Sequence, residues 1–237
     1  MDEKKTTKTK TEYKIDRTCF TEFLLSSGAL IFGDFTLKSG RRSPYMINTG
    51  NFNTGPKLAR LGCFYAKAIH EKCELGLLPA DIDVIFGAAY KGIPLAAAAA
   101  VAFSAAFGKE IGYCFNRKEE KDHGEGSRLI GRLPGPGENV LVIDDVMTAG
   151  TALRGTVSLL RAEAPEAKII GCVLAVDRAE RGKDKLSAVA EAQYEYGFPV
   201  FAIADIYDIL IALREGSLAS SQEIAAIEAY LADYGRV

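Results

Sequence analysis

Tryptophan is absent from this sequence, and histidine occurs only twice among its 237 residues. Neither sign of charge is in excess, because 29 Lys and Arg are balanced by 31 Asp and Glu. This balance argues against a chain that binds nucleic acid or an anionic membrane surface through a basic excess. The most apolar stretch, residues 93–107, is shorter than the roughly 20 residues that a membrane-spanning helix needs. The polar N-terminus also lacks the apolar stretch of a signal peptide, so we expect a cytoplasmic protein.

Closely spaced cysteine pairs are missing as well. The chain has five scattered cysteines, without the C-x-x-C spacing of zinc or redox sites, and a chain of this length does not need disulfides. We therefore expect them to be reduced and mostly buried. These cysteines are Cys19, Cys63, Cys73, Cys114 and Cys172.

What is present is a globular composition, with 48% hydrophobic and 25% charged residues. Residues 1–13, rich in Lys, Thr and Glu, read as a flexible tail. After it we expect a helix capped by Asp16, a hairpin within residues 30–48 and a helix that begins at Pro56. Further along, short apolar runs alternate with helical segments, and a charged segment with several glycines spans 117–137. The predicted strands are 83–87, 111–116, 140–143, 169–176 and 200–204, and the predicted helices are 92–106, one from about 150, and a surface helix at 220–234.

This alternation predicts an α/β fold with a parallel sheet covered on both faces. Ligands of such sheets bind beyond the carboxyl ends of the strands. The clearest chemical signal lies at one such end, where a buried strand runs into Asp144 and Asp145 and a Thr-Ala-Gly-Thr turn opens a helix. Free backbone N–H groups and hydroxyls there would hold a phosphate, while the acids accept hydrogen bonds from ribose hydroxyls. The alternative is an ordinary strand-to-helix turn with an acidic cap.

This stretch resembles the phosphoribosyl diphosphate (PRPP) motif of the type I phosphoribosyltransferases. The resemblance implies their fold, a parallel twisted sheet flanked by helices with a small N-terminal hood that recognises the base. It divides residues 14–237, a single domain, into a hood at about 14–54, a core at about 55–215 and a C-terminal helix at 219–235. The PRPP-binding residues that the motif implies are Asp144, Asp145, Val146, Met147, Thr148, Ala149, Gly150, Thr151 and Ala152.

Residues 36–48 resemble the substrate-recognition segment of the orotate phosphoribosyltransferases. The resemblance places Lys38 on PRPP, and Met46, Ile47 and Thr148 on orotate, although the family usually has aromatic residues at the positions of Met46 and Ile47. Arg178, which follows another strand, matches the family's orotate-binding arginine and can pair bidentately with a carboxylate. The alternatives are an exposed hairpin with a basic rim and a surface salt bridge of Arg178 with its charged neighbours.

Two further loops resemble PRPP-binding segments of the same family. Residues 86–94 match the diphosphate loop, which often holds a non-proline cis peptide, here Ala89–Tyr90; Tyr90 and Lys91 would contact PRPP. Residues 116–127 match the catalytic loop, in which cations converge on the leaving diphosphate. A helix turn with a solvated lysine and a solvated charged loop are the respective alternatives. The PRPP contacts implied for the catalytic loop are Arg117, Lys118, Lys121 and His123, and the catalytic residues implied overall are Lys121, His123, Asp144 and Asp145.

The resemblance implies transfer of the 5-phosphoribosyl group from PRPP to orotate, a step of UMP biosynthesis. It implies Mg²⁺ as the cofactor, held mainly through PRPP because Mg²⁺ keeps several waters and prefers oxygen ligands. No protein metal ligand is therefore expected. It also implies a homodimer whose catalytic loop is shared across the interface, with no nucleic-acid or membrane partner. Two alternatives stay open: a type I enzyme for another base, and a non-catalytic regulator that senses PRPP.

Overall fold

The computed structural model of the chain describes residues 15–37, 39–118, 127–147, 150–181 and 186–236. The predicted alternation of strands and helices is confirmed in this part of the chain. The helices are α1 (Arg17–Ser26), α2 (Gly55–Glu74), α3 (Gly92–Phe107), α4 (Thr151–Glu163), α5 (Ala188–Tyr196), α6 (Ile206–Glu215) and α7 (Ser221–Tyr234). The strands are β1 (Leu30–Thr36), β2 (Arg42–Ile47), β3 (Val84–Gly87), β4 (Gly112–Asn116), β5 (Leu129–Gly131), β6 (Asn139–Met147), β7 (Lys168–Asp177) and β8 (Val200–Asp205).

Local signals in the sequence set several helix ends. The Asp16 carboxylate accepts a hydrogen bond from the backbone N–H of Cys19 at 2.9 Å, which confirms it as the cap of α1. Pro56 lies in the first turn of α2, where its missing N–H costs nothing. Capping boxes begin α6 at Asp205 and α7 at Ser220. Each of these helix ends is therefore determined by residues that lie close to it in the sequence.

The central sheet has the strand order β5-β4-β3-β6-β7-β8. Neighbouring strands from β4 to β8 run parallel, as predicted, but β5 pairs antiparallel with β4. The predicted parallel sheet is confirmed, with one short antiparallel edge strand that was not predicted. The reason is that β5 is three residues long and lies within the charged segment, where it shows no strand pattern.

Apolar residues cover both faces of this sheet, as predicted. Val142 and Leu174 belong to the hydrophobic cluster beneath α4 and α5, whereas their neighbours Ile143 and Val173 belong to the larger cluster beneath α1, α2, α3, α6 and α7. Consecutive side chains of a strand point to opposite faces, so continuous apolar strands supply both clusters. Burial on both faces is what made these strands recognisable as uninterrupted apolar runs.

The predicted hairpin is confirmed as the antiparallel pair β1–β2, which forms a sheet of its own. The C-terminal helix α7 packs against β2, and the rings of Tyr45 and Tyr230 meet edge to face with their centroids 6.0 Å apart. The helix lies at the surface, as predicted, and the side that it buries carries Ile227, Tyr230 and Leu231. Its large apolar residues recur at helical spacing and form the side that packs inward: Ile224, Ile227, Tyr230, Leu231 and Tyr234.

Other expectations need correction. Helices α5 and α6 were not predicted, and α6 follows β8 directly, with its start marked by the capping box of Asp205 and Asp208. The cysteines are free, but only Cys114 and Cys172 are buried, and Cys63 is exposed on α2. The expectation of mostly buried cysteines is thus wrong, since exposure depends on which side of a helix the residue occupies. No helix in the described part of the chain is long and apolar enough to cross a membrane.

Candidate active site

The paired acids lie near the carboxyl end of β6. The predicted strand ends before them, but β6 runs on to Met147, whose partner on β7 is Asp177. The backbone N–H of Asp145 donates to the Asp144 carboxylate at 2.9 Å, and the N–H of Val146 donates to the Asp145 carboxylate at 2.8 Å. The pairing with β3 ends at Ile143, so pairing with β7 holds the two acids at this edge of the sheet.

Lys91 and Thr49 meet at Asp145. The Lys91 ammonium lies 2.7 Å from the Asp145 carboxylate and 3.2 Å from the Thr49 hydroxyl, which itself donates to the same carboxylate oxygen. The Asp145 side chain is only 12% exposed, whereas that of Lys91 is 66% exposed. Thr49 was not predicted as a site residue, because an isolated threonine after the hairpin carries no local signal.

The two acids differ in how readily they ionise. Burial, with the charge of Asp145 as a second cause, raises the pKa of Asp144 to about 6. Burial also opposes ionisation of Asp145, but the hydrogen bonds from Lys91 and Thr49 outweigh it and lower the pKa of Asp145. Asp145 is thus a carboxylate of lowered pKa that pairs with Lys91, and the neighbouring Asp144 is an acid of raised pKa.

The loop between β3 and α3 carries the cis peptide Ala89–Tyr90 that the resemblance led us to expect. The side-chain oxygen of Asn116, the last residue of β4, accepts the N–H of Ala89 at 2.9 Å. The ammonium of Lys118 lies 4.6 Å from the centre of the Tyr90 ring. The start of the catalytic-loop segment therefore lies against the diphosphate-loop segment, and Asn116 is a site residue that sequence reasoning missed.

This loop also depends on two glycines in close contact. A Cβ atom on Gly87 would lie 2.0 Å from the carbonyl oxygen of Gly92, a distance that no side chain can adopt. The main chain can therefore fold back from β3 into α3 only where both side chains are absent. The first residues of this helix are thus held directly over the end of β3.

The turn before α4 is described from Gly150 onward. Gly150 has φ +69°, which favours glycine, and it precedes a helix start where Thr151 and Ala152 are exposed. Met147 is buried and Val146 is half-buried, so their side chains belong to the core. Thr148 and Ala149 of this motif, together with Lys38, Lys121 and His123, lie outside the described residues, whereas Arg117 is described and exposed.

Arg178 is buried just after β7. Its Nε donates to Glu180 at 2.7 Å, its Nη2 donates to the Ser43 hydroxyl at 3.1 Å, and its guanidinium lies 4.2 Å from the centre of the Tyr45 ring. The residue is 4% exposed, so the alternative of a surface salt bridge is wrong. Met46 and Ile47 lie half-buried on the same strand as Ser43.

The chemistry of this edge suits an anionic, hydroxyl-bearing ligand. Lys91 and the helix start at Thr151 offer cation and backbone N–H groups, and Asp144 and Asp145 offer acceptors. In the part of the chain that the structure describes, no group of three or more His, Cys, Asp or Glu could hold a metal ion.

Comparison with known proteins gives matches over most of the chain. Residues 48–202 match the family model of the phosphoribosyl transferase domain. An orotate phosphoribosyltransferase of Bifidobacterium adolescentis is 54% identical over 223 residues, 91% of this chain and 96% of that protein. An orotate phosphoribosyltransferase of Thioalkalivibrio sulfidiphilus is 51% identical over 217 residues, which are 91% of this chain and 96% of that protein. The crystal structure of the Francisella tularensis orotate phosphoribosyltransferase, 38% identical, matches with a TM-score of 0.77 and covers 92% of this chain and 99% of that chain.

Proposed function

The chain belongs to the orotate phosphoribosyltransferase family, and from this membership we propose how its residues carry out the family's reaction. That reaction transfers the 5-phosphoribosyl group from PRPP to orotate, giving orotidine 5′-monophosphate and diphosphate in UMP biosynthesis. The observation that carries the proposal is the meeting of Lys91, Asp145 and Thr49 at one edge of the sheet. They come from the diphosphate loop, the PRPP motif and the end of the hood.

Binding of PRPP rearranges the ion pair between Lys91 and Asp145. In the ligand-free chain the two charges neutralise each other at 2.7 Å. Diphosphate carries more negative charge than one carboxylate, so it draws the exposed Lys91 side chain toward itself. The Asp145 oxygen is then free to accept a hydrogen bond from a ribose hydroxyl, as is Asp144. The remaining PRPP contacts that we propose are Lys38, Tyr90, Arg117, Lys118, Lys121 and His123 for the diphosphate side, and Val146, Met147, Thr148, Ala149, Gly150, Thr151 and Ala152 for the phosphate side.

Orotate binds between the hood and Arg178. A guanidinium has five N–H donors, and the bonds to Glu180 and Ser43 leave others for the substrate carboxylate. Met46 and Ile47 contact the pyrimidine through their backbone and aliphatic side chains, with Thr148 beside it. A base without a carboxylate leaves the buried charge of Arg178 without its ligand, so this residue selects orotate over other bases.

In the reaction, the pyrimidine nitrogen of orotate forms a bond to ribose C1 while the bond from C1 to the diphosphate oxygen breaks. The electron pair of that bond leaves with diphosphate, and Lys121 and His123 meet the growing negative charge. Orotate nitrogen can already be anionic, so positioning and leaving-group stabilisation are the main requirements. Mg²⁺, which we expect the substrate's own oxygens to hold in place of protein ligands, would supply further positive charge to the leaving diphosphate.

We also propose a homodimer in which the loop with Arg117, Lys118, Lys121 and His123 completes the neighbouring subunit's site. The test mixes a Lys121→Ala subunit with a subunit in which Asp144 and Asp145 are both replaced by Asn. Each parent is expected to be inactive, and the mixture is expected to regain activity, because one hybrid site has both intact parts. No recovery after demonstrated subunit exchange would refute shared sites. A cytoplasmic location stays a prediction.

The direct test follows the ultraviolet absorbance of orotate mixed with the protein, PRPP and Mg²⁺. A loss of absorbance that requires PRPP is the expected result. Arg178→Ala should raise the KM for orotate far more than that for PRPP, and equal rises would refute its role. Binding of PRPP in calorimetry without turnover would instead favour another base or a non-catalytic regulator.

A further inference from the structure

Glu180 connects the proposed orotate site to the C-terminal helix. One carboxylate oxygen accepts the Arg178 Nε at 2.7 Å and the Tyr230 hydroxyl at 2.9 Å. The other accepts Arg41 Nη1, from the turn of the hairpin, at 3.3 Å. The Glu180 side chain is 12% exposed, and that of Arg178 is 5% exposed. The Glu180 carboxylate is therefore mostly buried, and its hydrogen bonds connect Arg178 with the hairpin turn and with α7.

We infer that Glu180 positions Arg178 for the substrate carboxylate, and that Tyr230 of α7 holds Glu180 in place for that purpose. The inference rests on the proposed role of Arg178. Three contacts orient the guanidinium: Glu180 at Nε, Ser43 at Nη2 and the Tyr45 ring at its face. Glu180 accepts from Nε and Ser43 accepts one N–H of Nη2, which leaves the second N–H of Nη2 and those of Nη1 for the substrate carboxylate.

The backbone between the two residues is shaped for this arrangement. Ala179, which is fully buried, has φ +49°, a left-handed conformation that non-glycine residues rarely adopt. Its N–H donates to Asp177 at 2.8 Å, and its carbonyl accepts the N–H of Arg236 at 2.7 Å. The C-terminal residues after α7 thus hold the turn that brings Arg178 and Glu180 together.

The balance of charge in this cluster favours an anionic ligand. The guanidinium groups of Arg41 and Arg178 share the single carboxylate of Glu180. Glu180 thus reduces the cost of burying Arg178 without cancelling both positive charges. A substrate carboxylate supplies the second negative charge, so the cluster is complete only when orotate is bound.

The experiment compares Glu180→Gln and Tyr230→Phe with Arg178→Ala and with Glu138→Gln as a matched control. Glu138 also pairs with an arginine, Arg132, at 2.6 Å, but lies in a turn before β6. We measure kcat, the KM values for orotate and PRPP, and the thermal denaturation midpoint of each variant. Glu180→Gln is expected to raise the KM for orotate about tenfold, the effect of one charged hydrogen bond, and to leave the KM for PRPP unchanged.

Tyr230→Phe removes a single hydroxyl and should raise the KM for orotate about threefold, while Glu138→Gln should change neither KM. Equal rises for both substrates, or no change, would mean that Glu180 is merely structural. A lower KM for orotate would mean that it competes with the substrate; each of these results overturns the inference. If Glu180→Gln does not fold, Tyr230→Phe decides by the same criteria. If Arg178→Ala leaves the KM for orotate unchanged, both the proposed role of Arg178 and the inference about Glu180 are refuted. If Arg178→Ala raises the KM for orotate but Glu180→Gln and Tyr230→Phe do not, only the inference about Glu180 is refuted.

Discussion

Removing the charge of Asp144 and removing that of Asp145 should change the stability of the ligand-free protein in opposite directions. The pKa of Asp144 is raised to about 6 by burial and by its neighbour's charge. A raised pKa in the folded state means that ionisation favours unfolding, so Asp144 destabilises the fold at neutral pH. The pKa of Asp145 is lowered by Lys91 and Thr49 against the effect of burial, so its ionisation favours folding.

The magnitude for Asp144 follows from the two pKa values. The ordinary value is 3.8 and the folded value is about 6; a difference of about 2 corresponds to about 3 kcal/mol. The cost is absent below about pH 4, where both states are protonated, grows between about pH 4 and 6, and is complete above about pH 7. Asn is isosteric and keeps an oxygen for the N–H of Asp145 at 2.9 Å. Asp144→Asn should therefore stabilise the chain by up to about 3 kcal/mol at neutral pH, or about 6–12 °C.

The assay is thermal denaturation of wild type, Asp144→Asn and Asp145→Asn without ligand, at about pH 7.5 and about pH 4.5. Asp144→Asn should have the highest midpoint at the higher pH, and its advantage should shrink at the lower pH. Asp145→Asn should have the lowest midpoint at the higher pH. In this variant Lys91 has lost its ion-pair partner, and the stability that ionised Asp145 contributes in the wild type is missing. An Asp144→Asn variant less stable than wild type, or an advantage independent of pH, would refute the reasoning.

Three shorter predictions concern single positions. Lys91→Met should weaken PRPP binding in calorimetry at least about tenfold and spare orotate; equal losses would contradict its diphosphate role. Gly87→Ala should lower the free energy of unfolding, measured in urea, by about 3 kcal/mol, because the new Cβ would clash with Gly92. The control Gly155→Ala lies exposed on α4, where a Cβ would meet nothing within 4 Å, and should raise it by about 0.5–1 kcal/mol. Equal effects would contradict the packing argument. Lys121→Ala should lower kcat by about 100-fold or more with modest loss of PRPP affinity, and an unchanged kcat would remove its leaving-group role.

The order of elements in the core was readable because its signals are local. The strand before Asp144 and the helix after Pro56 each show their pattern within about ten residues. The signals fail where the pattern is short or continuous. β5 has three residues, and α6 follows β8 with no loop between them, so only Asp205 and Asp208 interrupt the apolar stretch there. The pattern of a single strand also cannot show that β6 pairs as far as Met147, because its extent depends on β7.

The chemistry of the site divides in the same way. Asp144, Asp145, Lys91 and Arg178 could be named from the sequence, because the motifs that carry them are contiguous and resemble a known family. The contacts, burial and ionisation of these residues could not be predicted from the sequence. The pairing of Asp145 with Lys91, 54 residues away, and the burial of Arg178 against Ser43, 135 residues away, exist only once the strands and the hood are in register.

The sequence by itself therefore determined the family and the fold class, and it named the candidate site residues. The tertiary structure decided which of these residues touch, which acid ionises readily, and that Thr49, Asn116 and Glu180 form hydrogen bonds to candidate site residues or to the loop that carries them. The physical reason is that caps, turns and apolar periodicity act over a few residues of chain, whereas burial and charge pairing depend on distances in space. Thr49 reaches Asp145 across 96 residues of sequence, and no local pattern encodes that contact.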